Sequence, residues 1–71
     1  MSNMISEIKC SNTREFAVAC FDMSYADELS VMLSGDADSN DMNEWGIDAN
    51  QWREAVLAAR EDRIAFEEEG E

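Results

Sequence analysis

A chain of 71 residues has room for one domain, and a domain of that size buries only about 60 % of the surface its unfolded form exposes, which leaves little core around which to shape a deep catalytic cleft. Seventeen Asp and Glu stand against five Lys and Arg, for a formal net charge of −12, so the chain lacks the basic surface that nucleic acid needs and is not expected to bind it directly. Its 45 % hydrophobic content, with two Trp and three Phe, excludes a wholly disordered segment; no apolar run approaches the roughly 20 residues that span a bilayer, and the N-terminus lacks a secretory pattern, so a cytoplasmic protein is expected.

Two readings fit the first 22 residues. In the preferred one, Ser2 begins a helix that buries Met4, Ile5 and Ile8, and Asn12 with Glu15 caps a second that carries Phe16, Ala17, Cys20 and Phe21 on one side. In the alternative, 5–10 and 15–21 are strands of a hairpin joined by Ser11, Asn12 and Thr13. Cys10 and Cys20 are expected to stay unpaired, because a reducing compartment favours small buried thiols over a disulfide.

Further on the periodicity is clearer. Tyr25, Leu29, Met32 and Leu33 fall on one stripe of a helix over 25–34, with Ser24 and Asp27 as its capping box and Gly35 as its stop. The segment 35–40, built from Gly, Asp, Ser and Asn around Ala37, reads as a surface loop. A single helical turn over 41–45 follows, with Trp45 turned inward and Gly46 ending it. Asp48 and Gln51 then cap the longest helix, 49–67, whose inner stripe is Trp52, Val56, Ala59 and Phe66, with Ala55 and Ile64 at the margins and Glu54, Arg60 and Glu61 outside. Arg53, Arg60 and Arg63 are expected to balance acids on this same helix, and Arg63 and Glu67 have the spacing to pair. The whole is an all-α single domain, a small bundle of three to five helices over 1–66, with a frayed acidic tail over 67–71.

Chemistry is more sparing. There is no histidine, no Ser or Cys beside a recognisable base and no glycine-rich phosphate loop, so an enzyme is not expected and no cofactor is called for. Asp36, Asp38 and Asn40 occupy the first, third and fifth places of a calcium loop and Glu44 the ninth, but Asp41 stands where glycine permits the sharp turn and Ile47 where a bidentate glutamate closes the oxygen shell. A solvated acidic loop is the simpler reading, and no metal site is assigned. Trp45 and Trp52 are read as core rather than as interface anchors.

The charge distribution carries the functional expectation. Between Arg14 and Arg53 lie nine carboxylates, Glu15, Asp22, Asp27, Glu28, Asp36, Asp38, Asp41, Glu44 and Asp48, with no Lys, Arg or His among them. Self-repulsion of that kind raises the free energy of a folded body, so the interval either confers solubility or displays a field to a basic partner. In the second case Asp22, Asp27, Glu28, Asp36, Asp38, Asp41, Glu44 and Asp48 are the partner-binding residues, placed to meet Lys and Arg on a surface that otherwise binds nucleic acid. An acidic protein-interaction module with a degenerate calcium loop over 36–47 is the alternative.

The stretch Ala26-Asp27-Glu28-Leu29, the acidic loop after it and the capped start Ile47-Asp48-Ala49-Asn50-Gln51-Trp52 resemble the small acidic anti-CRISPR proteins of bacteriophages that act on type I systems, over about half of the chain. Those proteins share little sequence, so no individual functional residue carries over. The resemblance implies a DNA-mimicking phage inhibitor, working in the cytoplasm of an infected bacterial host, that binds a CRISPR surveillance complex or its nuclease as a monomer or homodimer and keeps target DNA from engaging.

Overall fold

Helices account for every regular element of residues 4–69, the part of the chain that the computed structural model describes. A 3₁₀ turn, Ile5–Glu7, leads into α1 (Ser11–Met23), α2 (Ala26–Ser34), α3 (Ser39–Trp45) and α4 (Ala49–Glu69). The all-α class and the C-terminal position of the longest helix agree with the sequence pattern. The hairpin alternative does not hold, since 11–23 is one continuous helix.

Both α1 and α2 pack on α4. The inner face of α4 carries Trp52, Ala55, Val56, Ala58 and Ala59, none more than 2 % exposed, and its three alanines let the neighbouring backbones come close. Phe16, Ala17 and Cys20 of α1 and Leu29 of α2 meet this face, and Ile8 and Ile47 from the connections complete the cluster. Full burial of a side chain of Leu or Phe size is worth about 1.5–3 kcal/mol. In a body only 16 Å across its thinnest dimension, one layer of helix upon another, this cluster is the core.

Local signals explain the helix ends. Asp48 and Gln51 form a reciprocal capping box at the start of α4: the Gln51 N–H donates to Asp48 Oδ1 at 2.8 Å and the Asp48 N–H to Gln51 Oε1 at 2.9 Å. Gly46, at φ 65°, adopts the left-handed conformation that ends α3 and donates its N–H to the Met42 carbonyl.

Several boundaries differ from expectation. Ser2 lies outside the described residues, and in place of a helix burying Met4 there is a single 3₁₀ turn with Met4 exposed, Ile5 half-buried and Ile8 buried. The turn is held from α4, where the Asp62 carboxylate accepts the Met4 N–H at 2.9 Å and the Ile5 N–H at 3.0 Å. The extended backbone of Ile8 then stops it. Cys10, not Asn12, stands at the cap position of α1, and Asn12 lies inside the helix. The box of α2 sits one residue later than expected, with the Tyr25 N–H donating to Glu28 Oε1 at 2.9 Å, and this leaves Tyr25 outside the helix and exposed rather than on the inner stripe. The acidic loop is shorter, because Asp38 accepts the Asn40 N–H at 2.8 Å and starts α3 at Ser39. At the far end α4 continues through Glu69, so 67–69 extend the helix instead of forming a tail; residues 70 and 71 lie outside the described part. Phe66 is 52 % exposed rather than buried, although its ring meets that of Phe21 edge to face, 5.5 Å between centroids.

Candidate binding surface

The arginines tie separate elements of the fold together. Arg14 donates to the Ile8 carbonyl at 2.9 Å, just past the 3₁₀ turn; Arg63 donates to the Phe21 carbonyl near the end of α1; Arg53 donates to the Leu33 and Gly35 carbonyls at the end of α2, the last three contacts at 3.4 Å. Each guanidinium thus meets carbonyls left unpaired at a C-terminal helix end, where a cation also complements the helix dipole. Arg60 reaches across to Ser30 Oγ at 2.6 Å and pairs with its neighbour Glu61. Arg63 is further enclosed by the rings of Phe21, Tyr25 and Phe66, 5.0–5.4 Å from their centroids, and pairs with Glu67 at 3.2 Å. The expectation that Arg53 balances acids on its own helix is therefore corrected: α4 points it at α2. Arg63 and Glu67 do pair as their spacing suggests, and Glu67 also accepts the Ala26 N–H at 3.1 Å, tying α4 to the start of α2.

The carboxylates divide by role. Asp38, Asp48 and Glu28 are exposed but engaged in helix caps. Asp41 is half-buried and accepts the indole N–H of Trp52 at 3.2 Å, so it belongs to the core as much as to the surface. Asp22, Asp27, Asp36 and Glu44 are exposed and make no hydrogen bond or ion pair among the described residues. Both ion pairs found among those residues lie within α4, at Arg60 and Arg63.

The eight expected contact residues do not converge on one site, but three of them line two concavities beside α1. One, of 640 Å³, is lined by Ile5, Val18 and Ala19 together with Glu15, Asp22 and Asp62. The other, of 190 Å³, runs toward α2 and α3 past Met23 and Met32, with Asp41 and Glu44 beside it. Ala19 and Trp45 line both, so the two adjoin at those residues. Trp45 is half-buried, its ring 5.7 Å from that of Phe16. Asp27, Glu28, Asp36, Asp38 and Asp48 line neither concavity.

The calcium geometry is not assembled. Asp38 caps α3 and Asp41 holds Trp52, and among the described residues no three His, Cys, Asp or Glu side chains gather closely enough to hold an ion. Both cysteines are free. Burial first, and the nearby Asp41 charge second, push the Cys20 thiol up to about 12. Cys10 is exposed, and its pKa is drawn below the usual value chiefly by the hydroxyl of Thr13, which is itself buried without a well-formed hydrogen bond, and then by the backbone N–H groups of Thr13 and Asn12. Among the described residues no helix is long and apolar enough to cross a membrane. No protein-family model matches the chain, and neither does any curated protein or solved structure.

Proposed function

We propose that this protein is a non-enzymatic inhibitor that offers its acidic exterior to a basic, nucleic-acid-binding surface of a host protein or ribonucleoprotein. In the manner of the acidic anti-CRISPR proteins it resembles, it blocks target DNA from a CRISPR surveillance complex or nuclease. The observation that carries the reading is the fate of the four arginines: Arg14, Arg53 and Arg63 are turned onto helix-end carbonyls and Arg60 onto Ser30 and Glu61, while Asp22, Asp27, Asp36 and Glu44 are exposed and have no counter-ion among the described residues. A net charge of −12 displayed in this way accelerates encounter with a basic groove and makes binding sensitive to salt.

The test is capture of partners on the tagged protein from bacterial lysate at low and at high salt. The reading predicts retention of DNA- or RNA-handling proteins in dilute buffer and their release as salt rises. Retention of none of them contradicts it.

A further inference from the structure

Thr13 is the one polar side chain buried in the core, 0 % exposed, and its hydroxyl has no well-formed hydrogen bond. A hydroxyl so placed costs free energy unless something accepts its proton, and the group it faces is the sulfur of Cys10, one turn earlier at the cap position of α1. The backbone N–H groups of Asn12 and Thr13 in the first turn of the helix face the same sulfur. From the other side comes Gln51 of α4. Its Oε1 is occupied by the Asp48 N–H, which fixes the amide plane and aims Nε2 at Cys10 Sγ, 3.5 Å away. Cys10 itself is exposed, and the Glu54 carboxylate of α4 is the charge that opposes these donors.

We propose that Cys10 is a modification site that undergoes thiol–disulfide exchange with a low-molecular-weight disulfide. The thiol proton goes to solvent, and Sγ attacks one sulfur of the disulfide R–S–S–R. The Cys10–S–S–R bond forms as the old S–S bond breaks, and the second sulfur leaves as RS⁻ with the electron pair and takes a proton from water. A hydroxyl, two backbone N–H groups, an amide and a carboxylate surround the attacking sulfur, a set that holds its negative charge and suits a leaving group that departs as an anion. Cys20 does not resolve the adduct, because it is buried and ten helical residues, or about 15 Å, further along α1. The mixed disulfide therefore persists until an external thiol removes it.

The probe is 2-hydroxyethyl disulfide, uncharged, with the folded protein and mass spectrometry as the readout. One adduct is expected, located at Cys10 by peptide mapping and reversed by dithiothreitol, with a rate that reaches half its plateau below pH 9.0. T13V removes the buried hydroxyl and keeps the volume. It should slow the reaction near neutral pH by about threefold, the net of less thiolate against a more nucleophilic one, and move the midpoint upward. T13S keeps the hydroxyl and should match the parent, with circular dichroism confirming that both variants are folded. No adduct, a first adduct at Cys20, an unchanged pH profile in T13V, or T13S as slow as T13V overturns the proposal.

Discussion

The indole nitrogen of Trp52, at the centre of the core, donates its hydrogen bond to the carboxylate of Asp41 at 3.2 Å, so an acidic side chain expected to face a partner also holds α3 against α4. Trp is tolerated in a core when its N–H finds an acceptor. Removing the acceptor by D41A leaves a buried donor unsatisfied, at a cost of about 1–3 kcal/mol. D41N keeps an acceptor and should cost less. Chemical denaturation monitored by far-UV circular dichroism measures both; equal stability of D41A and the parent would show that the bond contributes nothing.

Gly46 is the second test of how the chain folds. An alanine Cβ there would meet Asn12 Nδ2 at 3.4 Å, an ordinary contact, so the penalty of G46A comes from the left-handed backbone alone and should be about 1 kcal/mol. At Gly35, where φ is negative, an alanine Cβ would meet the Met32 carbonyl oxygen at 4.0 Å, an ordinary contact, and G35A should be neutral or slightly stabilising. Thermal melts of the two variants should separate them clearly.

The two thiols should behave oppositely. Cys10, exposed and with its pKa lowered, should be alkylated readily in the native protein near neutral pH, while Cys20 reacts only on unfolding. The raised pKa of Cys20 also has a consequence for stability. The folded state retains the thiol proton that the unfolded chain releases near its ordinary value of 9.0, so any contribution from this group is fully present below that pH. It is lost as pH climbs from there toward about 12. C20A should flatten this alkaline decline, and mass spectrometry of labelled protein checks the reactivity.

Particular residues show what was legible in the sequence. The Asp48 and Gln51 box, the Gly46 stop and the Trp52, Val56, Ala59 stripe are local, and each was readable because capping and helical period operate over a few residues. The destinations of Arg14 and Arg53 were not. Pairing rules for helices compare residues three or four apart, but these guanidinium groups answer to carbonyls at the ends of elements that only the fold brings near. The bond from Trp52 to Asp41 was hidden for the same reason, as the two lie eleven residues apart on different helices. Phe66 fits the period of α4 yet projects beyond the core that α1 and α2 provide, so periodicity alone overstated its burial. The run 16–21 is apolar at every position, and which of its side chains stay exposed is decided by where α4 lies.

The measurement that bears most directly on the acidic exterior as a working surface is competition for target DNA on a purified type I CRISPR surveillance complex, using the parent protein and the variant D22K/D36K/E44K. These three carboxylates are exposed and make no hydrogen bond or ion pair among the described residues, so circular dichroism of the variant should match the parent. Exposed ion pairs are each worth up to about 1 kcal/mol, and replacing three attractions with repulsions should weaken inhibition by about a hundredfold or more, with the parent's inhibition fading as salt rises. Undiminished inhibition by the folded triple variant, or no displacement of DNA by the parent protein in dilute buffer, would contradict the account.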